Sequence, residues 1–283
     1  MRDKIYSTNE LKLLANSLRQ HIIKMLTEAR SGHPGGPLGL ADIFAVLYFH
    51  TLRYDPKNPD WEDRDRLILS NGHVCPVLYA TLAEAGFFPL SELNTLRKLG
   101  SRLQGHPHRG TLPGVETSSG PLGQGLSQAV GMAIVGQREK KPWRVYAVLS
   151  DGEHNEGQTW EAILLATKHS IGNLTVIVDR NFIQIDGKTE EILPLEPFAD
   201  KYRAFGWHVI EVDGHDISEL KRALDASVNI AKPTVIIART VPGKGVSFME
   251  HLYQWHGKPP NKEQEKQALS ELNEARERLE SRS

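Results

Sequence analysis

From residue 145 onward, short β-branched apolar runs alternate with longer helical segments. The runs fall at 145–149, 174–178, 208–212 and 234–238, and helix-length segments lie near 160–169 and 217–229. Strands alternating with helices argue for parallel βαβ units, because a parallel pair needs a long crossover. The runs at 145, 174 and 234 are almost continuously apolar, as expected for strands covered on both faces. A further strand is predicted near 67–70. The pattern defines an α/β protein, mostly a parallel sheet with helices on both faces.

The first half of the chain reads as helices and loops. Leu11, Leu14, Leu18, Ile22, Met25 and Leu26 recur at helical spacing. Ser7 and Glu10 have capping-box spacing and Gly32 lies beyond the far end, so a helix is predicted over 9–29. A second, buried helix is expected over 38–49, after the glycine-rich turn 31–37. Residues 53–63 are polar and proline-containing and read as a loop. At the other end, Leu269, Leu272, Ala275 and Leu279 form a narrow apolar stripe on a charged surface helix, packed on the body or on a partner.

With 283 residues, one large α/β domain with a sizeable core is expected. A net charge of -1 gives no reason to expect nucleic acid or an anionic membrane as a partner. No stretch approaches the roughly 20 apolar residues of a membrane span, and residues 1–10 do not resemble a secretory signal. The single cysteine, Cys75, allows no intrachain disulfide and reads as a small core residue. A cytoplasmic location is expected.

Two of the predicted strands end in polar tips. Residues 145–149 run into Ser150-Asp151-Gly152-Glu153, and residues 174–178 into Asp179-Arg180-Asn181. In open parallel sheets, ligands bind beyond the carboxyl ends of the strands. An Asp carboxylate and an Asn carbonyl there suit Mg²⁺ or Ca²⁺, with phosphate oxygens completing the shell. Plain polar turns are the alternative reading of the same two tips. Gly-His dipeptides form a second set: Gly32-His33, Gly72-His73, Gly105-His106 and Gly214-His215. Glycine permits tight turns and close ligand approach, and imidazoles suit proton transfer near neutral pH. His108, His169 and His215 are assigned structural hydrogen bonds.

The segment Ser118-Ser119-Gly120-Pro121-Leu122-Gly123-Gln124-Gly125 leads into a helix containing Ala129, Gly131, Ala133 and Gly136. Those small residues predict close packing against another backbone. The loop could hold an anion at the helix N-terminus. Its glycine spacing is not GxGxxG, and GxxxxGK[ST] is absent, so a nicotinamide-dinucleotide site and a P-loop are disfavoured. Without HExxH or paired cysteines, zinc is disfavoured as well.

Taken together, these segments resemble the transketolase family. The match runs in order through SGHPGGPLG (31–39), LSNGHVCPVLYA (69–80), LQGHP (103–107), LPGVETSSGPLGQGLSQAVGMA (112–133), SDGEHNEGQTWEA (150–162), DRNFIQIDG (179–187) and WHGKPP (255–260). The resemblance implies a thiamine diphosphate-binding fold of the PP type and a magnesium (or calcium) ion held by Asp151, Asn181 and the backbone carbonyl of Ile183. Gly152, His73, Asn181 and His256 would contact the diphosphate end, and Gly120, Pro121 and Leu122 the ring systems. His33, His106 and His256 would line the sugar channel, with His106 on the ketol hydroxyl and His33 and His256 assisting proton transfer. Glu156 would join an acidic network between paired active sites.

Two residues depart from the family pattern: Ser150 replaces a glycine, and Arg180 stands where the family often has Asn. A full-length member continues into a pyrimidine-binding domain, with the cofactor-activating glutamate, and a C-terminal domain. The resemblance therefore implies that residues 1–283 are the N-terminal subunit of a split transketolase. The remaining domains would lie on a partner chain, as a heterotetramer acting on sugar phosphates. Rival readings are a 1-deoxyxylulose-phosphate synthase-like subunit, a 2-oxoacid dehydrogenase α-like subunit, an NAD-linked oxidoreductase and a non-catalytic regulatory subunit. Pentose phosphates are the default substrates, with branched or sulfonated sugars as further options.

Overall fold

The computed structural model describes residues 4–281. Five strands form one parallel sheet: β1 (Arg66–Leu69), β2 (Val145–Ser150), β3 (Leu174–Arg180), β6 (His208–Asp213) and β7 (Thr234–Arg239). Their spatial order is β1-β2-β3-β7-β6, and every pairing is parallel. A two-residue hairpin, β4 (Ile183–Gln184) with β5 (Gly187–Lys188), projects beyond β3. All five predicted strands are present. β2, β3 and β7 are central and buried, as their unbroken apolar runs require. β6 lies at an edge and is only half buried.

The helices are α1 (Thr8–Ala29), α2 (Gly35–Val46), α3 (Cys75–Glu84), α4 (Gln124–Arg138), α5 (Gly157–Lys168), α6 (Thr189–Ile192), α7 (Phe198–Ala204), α8 (Ile217–Ser227) and α9 (Lys262–Glu280). Side chains alternate across each strand, so the sheet feeds two cores. Leu67, Leu69, Tyr146, Val148, Ile177 and Ile236 pack under α1, α2, α3 and α8. Ile68, Val145, Ala147, Val176, Val178 and Ile237 pack under α4, α5 and α7. Helices therefore cover both faces.

α1 starts with the expected capping box, Ser7 Oγ accepting from Glu10 N–H and Glu10 accepting from Ser7 N–H. Its end differs from the glycine expected there: Arg30 takes the left-handed conformation, φ 50°. α2 begins earlier than predicted, inside the glycine-rich turn, and passes into a π-helical turn at Leu47–Thr51. α9 packs on the body against α1, where Asn16 donates to Leu272 C=O at 3.0 Å and Arg276 to Ser17 Oγ at 3.2 Å. No helix among the described residues is long and apolar enough to cross a membrane.

The close backbone packing expected along α4 holds at Gly125, where a Cβ would lie 2.5 Å from Ser70 Cβ and 2.7 Å from its Cα; Gly136 instead packs on side chains, where a Cβ would lie 2.6 Å from the Trp143 ring. It fails at Gly131, which faces solvent with nothing within 4 Å. A small residue signals tight packing only when it falls on the buried stripe of its helix, and Gly131 falls on the opposite side.

Candidate active site

The carboxyl ends of β1, β2, β3 and β7 open onto one crevice. Because β2 and β3 pair with Ser150 opposite Asp179, the turn after β2 sits beside the tip of β3, and Asp151 N–H donates to Asp179 C=O at 3.1 Å. A cavity of about 430 Å³ above these tips is lined by His33, His73, His106 and His256. Gly120, Leu122, Gly152, Asn181 and Ile183 also border it. These residues are distant in sequence and come from separate loops. A wider groove of about 790 Å³ lies elsewhere, around Arg64, Arg66, Arg109 and Trp143, but it has neither the histidines nor the strand tips.

Three of the imidazoles form a triangle. His33 to His73, His33 to His256 and His73 to His256 are 5.2, 5.4 and 5.1 Å between ring centres. Burial pushes the His33 pKa down to about 4, with His256, Arg97 and His106 adding to the effect. Burial takes His73 to about 3, again helped by its histidine neighbours. His256 is lowered too, by burial, and the largely exposed His106 is lowered by partial desolvation and by the Arg97 charge. All four are therefore neutral at pH 7 and able to accept a proton or a hydrogen bond.

Asp151 is fully buried beneath the crevice floor. Its carboxylate accepts from Gly152 N–H at 2.7 Å, Phe182 N–H at 2.8 Å and Arg180 Nη1 at 3.0 Å. Burial raises its pKa to about 6, against the pull of Arg180. Asn181 Nδ2 donates to Asp179 at 2.8 Å, and its Oδ1 accepts from Ile183 N–H at 3.0 Å. Asp179, also buried, is raised to about 7, mainly by burial, although Thr240 hydrogen-bonds to it.

Arg180, which departs from the family pattern, thus reaches directly into the floor. It also pairs with Glu190 and Glu196, at 2.6 and 2.9 Å. Three carboxylates thus share one guanidinium, with Asp179 nearby at the tip of β3 and Glu190 and Glu196 outside the cavity lining. Asp151 keeps one of about four lone-pair sites, and Asn181 Oδ1 keeps a second lone pair. These hard oxygens fit a divalent cation.

The walls fit a polar ligand. Buried His33 Nδ1, both amide atoms of Asn71, Ser119 Oγ and Gln184 Nε2 have no hydrogen-bond partner among the described residues. Buried polar atoms are normally paired, and here they cluster around or beside one cavity. Gly72 lets the β1 turn meet the 119–120 loop closely, since a Cβ there would lie 2.5 Å from Ser119 Oγ.

Some expected residues lie outside this constellation. Pro121 is exposed and does not line the cavity. Glu156 is exposed at the N-cap of α5. Nearby Glu153 is the buried carboxylate: it accepts from Ser70 Oγ, from Gly123 N–H at 2.7 Å and from Ser150 N–H at 3.3 Å, tying three loops together. The sequence carried a signal for Glu153 in its place directly after Asp151-Gly152. Gln184, Ile185 and Asp186, on the hairpin beside the crevice, carried none.

Cys75 is buried with its thiol toward Gly105 C=O at 3.2 Å, and burial pushes its pKa up to about 12. His215 is structural, bridging Asp42 and Val241 N–H, each at 2.8 Å.

A parallel sheet with buried carboxylates at its strand tips and a histidine-lined cavity above them defines an α/β domain of the kind that takes its ligand at the carboxyl ends of the strands. Residues 11–276 match the transketolase, thiamine diphosphate binding domain, and the chain belongs to that family. It is 42% identical over 264 residues to the 6-deoxy-6-sulfo-D-fructose transketolase subunit SqwG of a Clostridium species, covering 93% of this chain and 96% of that protein. It is 38% identical over 271 residues to an apulose-4-phosphate transketolase subunit of Phocaeicola vulgatus, covering 95% and 96%. The transketolase structure from Campylobacter jejuni superposes with a TM-score of 0.88 at 38% identity, over 93% of this chain but 42% of that one.

Proposed function

We propose that this chain is the N-terminal, thiamine diphosphate-binding subunit of a two-subunit transketolase, an enzyme that moves a two-carbon ketol unit from a ketose to an aldose. The observation that carries the reading is the convergence of His33, His73, His106 and His256 on the Asp151–Asn181 floor. The relatives of equal span, themselves transketolase subunits, support it.

In this reading Asp151, Asn181 and the Ile183 carbonyl hold Mg²⁺ or Ca²⁺. Gly152, His73 and His256 receive the diphosphate, and Gly120 and Leu122 border the rings. Bound thiamine diphosphate supplies the carbon nucleophile and electron sink for breaking a C–C bond. His106 orients the ketol hydroxyl. His33 and His256, neutral at pH 7, take the proton released as the donor splits and return it later. Residues 1–283 form one domain, in the cytoplasm. The pyrimidine-binding and C-terminal domains belong to a partner in a heterotetramer, where Glu156 joins the acidic network between sites. The substrates that name the two relatives, one a sulfonated ketose and one a phosphorylated sugar, point to an anionic sugar; a pentose phosphate is the default.

Calorimetry tests the floor. Thiamine diphosphate is expected to bind only with Mg²⁺ present. Asp151→Ala and Asn181→Ala should weaken it at least about 100-fold, since outer-shell changes alone cost about 10–100-fold. Unchanged affinity in both variants would refute the metal assignment. Ketol transfer should require the partner chain; robust turnover by the purified chain alone would overturn the two-subunit reading.

A further inference from the structure

We infer that Arg97 is a positioning residue that clamps the two Gly-His turns at 32–33 and 105–106, and so sets the relative geometry of His33 and His106. The inference rests on the transketolase reading for what the crevice does, and adds a residue that reading does not use.

Arg97 lies just past the short 3-10 helix Leu90–Thr95. Its Nη1 donates to Ser31 Oγ at 3.0 Å and its Nη2 to Gly105 C=O at 3.3 Å. The guanidinium lies against both glycines. A Cβ at Gly105 would sit 2.8 Å from Arg97 Cζ, and one at Gly32 would sit 3.6 Å from Arg97 Nε. At Gly105 the guanidinium thus packs directly on the glycine, in the space a Cβ would enter. The turn at Gly105 is also held from α3, through the Cys75 thiol and through Tyr79 OH, which donates to Gln104 C=O at 2.9 Å. Arg97 itself has φ 59°, a left-handed conformation that a non-glycine residue keeps where its surroundings fix it.

Among the described residues no carboxylate pairs with Arg97, and its buried Nε has no partner. Its charge is therefore not offset by an ion pair and lies beside the crevice wall. His33 is faced by His73 and His256, 5.2 and 5.4 Å away between ring centres, by His106 and by the charge of Arg97. His106 is faced by Arg97 and by the backbone of Gly120. A structural ion pair would be neutralised and indifferent to the histidines; this guanidinium is neither.

The test uses Arg97→Met, which removes charge and fork, Arg97→Lys, which keeps charge and loses the fork, and Ser31→Ala, which removes one bond and keeps Arg97. Histidine titrations are followed by NMR on the full chain, and ketol transfer is measured with the partner subunit. In Arg97→Met the midpoints of His33 and His106 should rise, because a neighbouring positive charge is gone. In Arg97→Lys they should stay near the wild type. kcat should fall at least about 10-fold in both, as misplacement of reacting groups does, and by less in Ser31→Ala. Affinity for thiamine diphosphate should remain within about twofold, because Arg97 touches none of the floor residues.

Unmoved midpoints in Arg97→Met together with unchanged kcat in all three variants overturn the clamp. A wild-type chain that fails to bind thiamine diphosphate overturns the cofactor reading instead. The NMR arm needs neither cofactor nor partner, so it decides the clamp in that case too. Should Arg97→Met not fold, Arg97→Lys and Ser31→Ala still decide through kcat.

Discussion

Asp151, Glu153 and His154 stand within four positions of one another, all buried, and each solves its burial differently. Asp151 leans on Arg180 and two backbone N–H groups. Glu153 is raised by burial but takes three hydrogen bonds. His154 stays neutral: Nδ1 bonds to the Ser150 carbonyl at 3.0 Å and Nε2 to Tyr202 OH at 2.7 Å. Burial takes its pKa from 6.5 to about 4. As pH falls below 6.5 the unfolded chain binds a proton there and the folded one does not. Its stabilisation is thus complete above pH 6.5 and lost between 6.5 and about 4. The loss is on the order of 3 kcal/mol. Urea unfolding at pH 7 and pH 4.5 should show a smaller drop in His154→Gln than in the wild type; equal drops would disprove the assignment. None of this was legible in the sequence, where His154 is a polar residue in a polar turn.

At the scale of elements, the local rules were readable because they are local. Ser7 and Glu10 predicted a capping box, and both of its hydrogen bonds are present. Ser7→Ala should cost about 1 kcal/mol in urea unfolding, since α1 is packed by α2, α3 and α9 but its first N–H groups depend on that cap. The strands were legible because a buried parallel strand requires an unbroken β-branched run. Element ends were less legible. α2 starts at Gly35 because its first turns are wholly buried between other backbones, where a Cβ at Gly39 would meet Val241 C=O at 3.0 Å. Gly131 shows the limit of a composition argument: the residue type was right for close packing, and its helical phase was wrong.

For the molecule as a whole, the buried carboxyls of Asp151 and Asp179 and the unpartnered polar wall atoms are groups whose burial a polar ligand would offset. A ligand that binds only the folded state stabilises it by about 2.7 kcal/mol at 100 times Kd. Thiamine diphosphate with Mg²⁺ should therefore raise Tm, and either alone should do so little. Asp151→Ala should abolish the rise; a retained rise would move the cofactor elsewhere. The family match spans residues 11–276, while full-length transketolases extend well beyond what this chain covers. Catalysis thus belongs, in the proposed reading, to the assembled pair and cofactor binding to this chain.

The sequence by itself determined the α/β class, the strand tips at Asp151 and Asn181 and the family, because periodicity and ordered motifs are carried by neighbouring residues. Of the twelve histidines, the ordered motifs singled out His33, His73, His106 and His256; only the tertiary structure decided how they meet, three of them 5.1 to 5.4 Å apart between ring centres. The parallel order β1-β2-β3-β7 puts the carboxyl ends of four strands on one side, so loops far apart in the chain converge there. The same convergence buries Glu153 while leaving Glu156 exposed, and lays Arg97 against Gly32 and Gly105. Spacing along a chain cannot encode such meetings, because they depend on which edges and faces the sheet brings together.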